Sequence, residues 1–200
     1  MMNTMYRWIV TPVVALTLTA GVWASGAQEE SGASDAAEGG TIGISKIVAH
    51  PALDAVEQGI IDELTALGFD ELEYDLQNAN GDISTAASIA NKFKADDVRL
   101  AVGIATPTAQ ALVNAINDIP VVFSAVTDPV GAGLVSSLDS GEGNVTGASD
   151  LTPVEAQFDL IDELVAPQTV GHVYASGEAN AVALAEMARQ AAADRGMEFV

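Results

Sequence analysis

The sequence predicts an α/β fold: a complete doubly wound parallel-sheet lobe over residues 41–150, then the start of a second α/β lobe over residues 151–200. Three observations predict it. Apolar runs of strand length alternate with stretches of helical periodicity from residue 41 onward. Crossovers of that length join parallel strands by right-handed connections. Polar turn clusters follow the strands, most plainly in 121–133, VVFSAVTDPVGAG. There a run apolar enough to be buried on both faces meets Thr127, Asp128 and Pro129.

Residues 41–48, TIGISKIV, open the lobe as a strand with alternating apolar positions. Pro51 starts a helix carrying Leu53, Val56, Ile60, Ile61, Leu64 and Leu67 at helical spacing, and Gly68 ends it. Residues 72–77 form the second strand. The turn cluster NANGD at 78–82 follows, with Asp82 placed to cap a helix through Ile83, Ala86, Ile89, Ala90 and Phe93. Residues 100–104 are the third strand, and Thr106-Pro107 cap and start the third helix. Residues 121–126 are the fourth strand, 131–138 a short helix and 144–149 the fifth strand. Thr152-Pro153-Val154-Glu155 has the form of a capping box and opens the second lobe. Its helix carries Val154, Phe158, Ile161, Leu164 and Val165 and stops before Pro167. A strand at 170–175, an exit loop at 176–180, an Ala-rich helix to Gly196 and a strand beginning at Met197 complete the order. Two strands leave a sheet with both edges open, so the second lobe reads as truncated.

The first 40 residues belong to neither lobe. Arg7 is the only basic residue before Lys46, and WIVTPVVALTLTA at 8–20 is an apolar core. Small residues at Ser25 and Ala27 suit a cut before Gln28, so 1–27 read as an export signal. The other reading of 8–27 is an uncleaved membrane anchor. Residues 28–40, QEESGASDAAEGG, read as a flexible leader. The expected location is periplasmic or secreted.

Composition excludes several functions. With 28 acidic and 7 basic residues the formal charge is −21, which argues against nucleic acid or an anionic membrane as partner. The sequence has no cysteine, which excludes disulfides, thiolate metal sites, thiol catalysis and a lipidated cysteine. Two histidines far apart make a metal site an unsupported expectation. There is no phosphate loop, HExxH or GxSxG motif. Neither a catalytic residue nor a cofactor is expected.

Parallel topology delivers every strand's carboxyl end to one rim, where open α/β sheets bind ligands. The candidate ligand-binding residues on that rim are Ser45, Thr106, Thr127, Asp128, Glu178 and Asn180. Helix N-termini at Pro51, Pro107 and Pro129 favour a carboxylate there, and Lys46 is the only basic residue in these loops. Asp128 could pair with a ligand ammonium, so the set fits a zwitterion such as an amino acid. Each residue also has a structural reading. Thr106, Asp128 and Glu178 are ordinary helix or turn caps, His50 is as much a cap as a contact, and His172 reads as a core or edge residue.

The strings SKIVAHPALD at 45–54, YDLQNANGD at 74–82, ATPTAQ at 105–110, IPVVFSAVTDPVGAGL at 119–134, NVTGASD at 144–150 and GEAN at 177–180 closely resemble ABC-transporter substrate-binding proteins of the tryptophan or aromatic amino-acid type. The resemblance covers residues 41–200. It implies a type I periplasmic-binding fold whose two lobes close over a small-molecule ligand, with an ABC permease in the membrane as partner. It places Thr106, Thr127 and Asp128 on the first lobe's side of the cleft and Glu178 and Asn180 on the second's. The expected protein is a monomeric solute receptor. The alternatives are a ligand-sensing module of the same fold coupled to a membrane signalling receptor, and an exported α/β enzyme.

Overall fold

The computed structural model describes residues 39–200; the expected signal and nearly all of the leader lie outside the described residues. The first lobe consists of β1 (Thr41–Lys46), α1 (Pro51–Ala66), β2 (Glu73–Asn78), α2 (Ile83–Ala95), β3 (Leu100–Ile104), α3 (Thr106–Ala115), β4 (Val121–Val126) and β5 (Val145–Ser149). All four strand pairings are parallel, in the order β2-β1-β3-β4-β5. Chain direction along the sheet therefore reverses between β1 and β3, the switch point where a crevice opens at the carboxyl rim.

Strand pleating sorts the side chains onto two faces. Ile42, Ile44, Val102 and Ile104 face α1 and pack with its Leu53, Val56, Ile60 and Ile61. The intervening residues face α2 and α3, where Phe93, Ile89, Leu112 and Ile116 join Ala101, Val121 and Phe123 in the larger core. Two glycines set how closely that second layer lies. A Cβ on Gly43 would fall 2.8 Å from the Phe93 ring, and one on Gly103 would fall 2.7 Å from the Ala109 Cα. Small residues on two adjacent strands thus let α2 and α3 lie against the sheet.

The remaining elements are α4 (Val154–Val165), β6 (Thr169–Val170), α5 (Ala179–Asp194) and β7 (Glu198–Phe199). They have their own core of Val154, Phe158, Ala188, Ala191, Ala192 and Met197. Strands β6 and β7 pair in parallel. Arg195 ties α5 to α4, donating to Glu155 Oε2 at 2.9 Å and to Asp159 Oδ1. Within the described residues no helix is long and apolar enough to cross a membrane.

Four local expectations need correction. Residues 131–138 form turns rather than a short helix. Gly133 sits at φ 73°, outside the helical region, and its N–H turns back to Val130 O. Thr152 does not close a capping box: Pro153 is the N-cap residue of α4 and no side chain caps it. The Val154 N–H is already taken by the Thr152 carbonyl at 2.9 Å, so the chain turns on backbone alone. Thr106 is not a cap either, because Ala105 holds that position and Thr106 is the first residue of α3. Finally β6 is two residues rather than six, its pairing continued by Val200 N–H to Val170 O and by His172 N–H to Val200 O.

Candidate functional site

The rim is built from short connections, four residues after β1, four after β2 and one after β3, and each has a distinct local cause. After β1 the chain reaches His50, whose Nδ1 accepts from Ala52 N–H at 3.2 Å and so caps α1. After β2, the Asn78 side chain accepts from Asn80 N–H, and Asp82 caps α2 through Thr85 N–H at 2.6 Å. The Ser84 hydroxyl also donates to Asp82, which together with the Thr85 N–H holds that carboxyl below its ordinary pKa. After β3 a single residue, Ala105, separates strand from helix. It adopts φ 79° and ψ 156°, a combination otherwise confined to glycine.

That one-residue elbow fixes the environment of Thr106. The first turn of α3 sits directly on the strand end, and Thr106, Thr108 and Ala109 are all buried. Thr108 Oγ1 donates to the carbonyl of Ile104 at 2.6 Å. Thr106 Oγ1, at a residue only 1% exposed, has no hydrogen-bond partner. Across the β1–β3 pairing, Ser45 lies beside Gly103 and, by the pleat, on the face that α3 covers. Ser45 is likewise 1% exposed and its Oγ also lacks a partner. Two buried hydroxyls without partners therefore sit on neighbouring strand ends at the switch point. Buried hydroxyls are ordinarily hydrogen-bonded, and leaving one unpaired costs about 1–3 kcal/mol. The same place holds the N-terminus of α3, which no side chain caps. Its N–H groups and the two hydroxyls form a donor set suited to an anion or a carbonyl oxygen.

The one basic residue of these loops is turned away from that point. Lys46 follows Ile44 onto the α1 face, where it donates to Asp54 at 2.6 Å and Glu57 at 2.9 Å. The hydrogen bond to Asp54, then that to Glu57, raises the Lys46 pKa above its ordinary value. Its charge is thereby committed, and the switch point offers neutral donors.

The other sequence-predicted residues have the following places. Thr127 and Asp128 are half-buried just beyond β4. The Thr127 carbonyl accepts from Ser149 Oγ at 3.1 Å. Asp128 Oδ1 accepts from Gly131 N–H at 2.8 Å, so this carboxylate holds its own turn. Glu178 is the N-cap residue of α5 without a side-chain cap bond, and it accepts from Asn180 Nδ2 at 3.5 Å. Asn180 Oδ1 is buried without a partner. Gly177 and Glu178 meet α2 and α3 at a cavity of about 420 Å³, shared with Ile83, Asn91, Pro107, Gln110 and Asn114. The structure thus brings Ser45 and Thr106 together on adjacent strand ends and sets Thr127 and Asp128 on the next. It puts Glu178 against the outer sides of α2 and α3.

Sequence reasoning missed the two alanines that shape the rim, Ala105 and Ala125, both at positive φ. Nothing in an alanine's identity announces such a backbone. It also missed Glu57 Oε2 and Tyr74 Oη, buried without partners on the α1 side. Among the described residues no group of three or more His, Cys, Asp or Glu could hold a metal ion.

Comparison with known proteins agrees with this architecture. Residues 41–200 match the family of ABC transporter substrate binding proteins. The chain belongs to that family. A tyrosine-binding protein of Clostridioides difficile is 41% identical over 160 residues, covering 78% of this chain and 46% of that protein. The crystal structure of a conserved domain protein from Vibrio cholerae is similar at TM-score 0.78 and 48% identity, over 80% of this chain and 56% of the other. An ABC domain from Streptococcus pneumonia, solved in complex with L-Trp, matches at TM-score 0.78 and 38% identity, over 82% of this chain and 56% of the other. The fold is that of the type I periplasmic-binding proteins, and the chain spans about half the length of these relatives.

Proposed function

We propose that this chain is part of an extracytoplasmic solute-binding protein that takes an amino acid, aromatic by preference, in a cleft between its lobes and delivers it to an ABC permease. The observation that carries this reading is the pair of buried, unpartnered hydroxyls of Ser45 and Thr106 beside the uncapped start of α3. A ligand carboxylate there would accept from both hydroxyls and from the helix N–H groups, and no cation would be needed. Thr127 and Asp128 line the next strand end, where Asp128 Oδ2 would meet the ligand ammonium while Oδ1 keeps its bond to Gly131. Glu178 and Asn180 would approach from the second lobe, and closure would turn about the connection at 149–152. Contacts made to both lobes only in the closed form would shift the population toward it. Binding rather than catalysis suits this set, because it contains donors and a turn-holding carboxylate but no nucleophile paired with a base.

The names of the relatives support the ligand class: one is a tyrosine-binding protein and another was solved with L-Trp. The resemblance and family membership support an export route and a monomeric receptor. A thermal-shift screen of the twenty amino acids against a protein carrying both complete lobes tests the reading. L-Tryptophan or L-tyrosine is expected to raise the melting temperature most, and at a hundredfold excess over the dissociation constant the stabilisation is about 2.7 kcal/mol. No response to any aromatic amino acid would reject the ligand class.

A further inference from the structure

The turn that carries Asp128 is held in shape by its own bonds, but those bonds do not hold it in place. Gly131 N–H donates to Asp128 Oδ1 at 2.8 Å, Ala132 N–H to the Asp128 carbonyl at 2.8 Å, and Leu134 N–H to the Pro129 carbonyl at 2.9 Å. A Cβ on Gly131 would overlap Asp128 Oδ2, so the carboxylate lies directly on the turn's backbone. Where the turn goes, the carboxylate goes with it. Pro129 at one end and Leu134 and Val135 at the other are buried, whereas Val130, Gly131 and Gly133 at the tip are exposed.

A side chain of α3 reaches that tip. Gln110 Nε2 donates to the Ala132 carbonyl at 3.0 Å, across 22 residues of chain and outside the sheet ladder. Gln110 lies four residues after Thr106 on α3, so the two side chains leave one face of the helix a turn apart. The helix face that carries the Thr106 hydroxyl at the switch point therefore also carries the bond to the Asp128 turn.

We infer that Gln110 is a positioning residue of the amino-acid site, which fixes the spacing between the donors at the start of α3 and the Asp128 carboxylate. The inference deepens the solute-binding reading, on which its link to ligand affinity rests. In an α-amino acid the carboxylate and the ammonium are joined through one carbon, so a site that grips both tolerates little change in the spacing of its two halves. Without the Gln110 bond the tip is free to lift from α3 and takes Asp128 with it. Thr106 and the helix N–H groups stay where they are. Gln110 acts through the turn, its amide being committed to Ala132, and its loss falls on the ammonium half of the site alone.

Two measurements on a protein carrying both complete lobes test this, the first without any ligand. In Gln110→Leu, close in size and a good helix former, hydrogen exchange over 130–134 is expected to rise roughly threefold or more, with the melting temperature lowered by no more than about 4 °C. The same variant should bind L-tryptophan roughly fivefold or more weaker, the loss of one hydrogen bond's contribution. Indole-3-propionate keeps the ring and the carboxylate but has no ammonium, and its affinity should stay within about twofold of the wild type. A merely structural role would weaken both ligands alike. Gln110→Met, unbranched and also without a donor, repeats the test should the leucine variant fold poorly. Gln58→Leu removes a glutamine bond to Asp62 on the exposed side of α1 and should leave exchange over 130–134 and both affinities unchanged. Unchanged exchange over 130–134 in both Gln110 variants, equal losses for the two ligands, no loss for either, or the same pattern in Gln58→Leu would overturn the inference. A wild type that binds neither L-tryptophan nor L-tyrosine would reject the amino-acid reading and leave the exchange result to judge whether Gln110 holds the turn.

Discussion

Ser45 and Thr106 are the residues on which the proposed function turns, because each buries a hydroxyl that the protein itself does not pair. Each hydroxyl is 1% exposed and lacks a partner. Ser45→Ala and Thr106→Val remove the polar atom while keeping most of the volume, so each should leave stability unchanged or raise it by up to about 1 kcal/mol. If these hydroxyls donate to a ligand carboxylate, each substitution should also weaken binding by about tenfold or more, since a hydrogen bond to a charged group contributes about 1.5–3 kcal/mol. Chemical denaturation and titration of the same variants read the two effects separately. Loss of both stability and affinity would instead assign the hydroxyls a structural role. Both residues were legible from the sequence as rim residues, since each follows or ends an apolar run. Their lack of partners was not: for Thr106 it follows from Ala105 taking the cap position one residue upstream, and for Ser45 from burial under the helix layer.

At the scale of elements, strand and helix order was readable because periodicity and caps agree over most of the first lobe. His50 and Asp82 are both side-chain caps, as their positions before Pro51 and Ile83 suggest. The failures lie where backbone geometry overrides side-chain identity. Thr152 has the right residue for a cap but its own carbonyl closes the turn. Residues 131–138 have the small residues of a short helix but break at Gly133. The β4 bulge has no marker in VVFSAV, because an extra residue in a run of similar apolar side chains leaves the pattern almost unchanged. The α2 cap gives a pH-dependent prediction. Ser84 and the Thr85 N–H hold the Asp82 pKa below its unfolded value. The cap's contribution is therefore fully present above about pH 4 and is lost as pH falls through the lower folded value. Asp82→Ala should lower the melting temperature at pH 7, by an amount that shrinks progressively as pH falls below about 4. An Asp82→Ala penalty that stays constant across this range would contradict the cap's ionisation.

For the molecule as a whole, the proposed function asks a chain carrying 28 acidic and 7 basic residues to receive a zwitterion at one rim. Such a field repels anions over long range. A local site for a carboxylate must therefore be built from short-range donors, and the α3 N-terminus with its two hydroxyls is such a set. Lys46, the only basic residue in the loops of this rim, is bonded to Asp54 and Glu57 on the opposite face. The sheet order makes the same point in topology: β1 and β3, which carry Ser45 and the elbow, flank the reversal point of a five-stranded parallel sheet. The central claim is that this neutral donor set receives the carboxylate of an amino acid. Titration calorimetry of L-tryptophan against L-tryptophanamide tests it most directly, because only the charge and acceptor capacity of the carboxyl group differ. Loss of about a hundredfold or more in affinity for the amide is the expected result, equivalent to about 2.7 kcal/mol. Equal affinity for the two compounds would contradict the account.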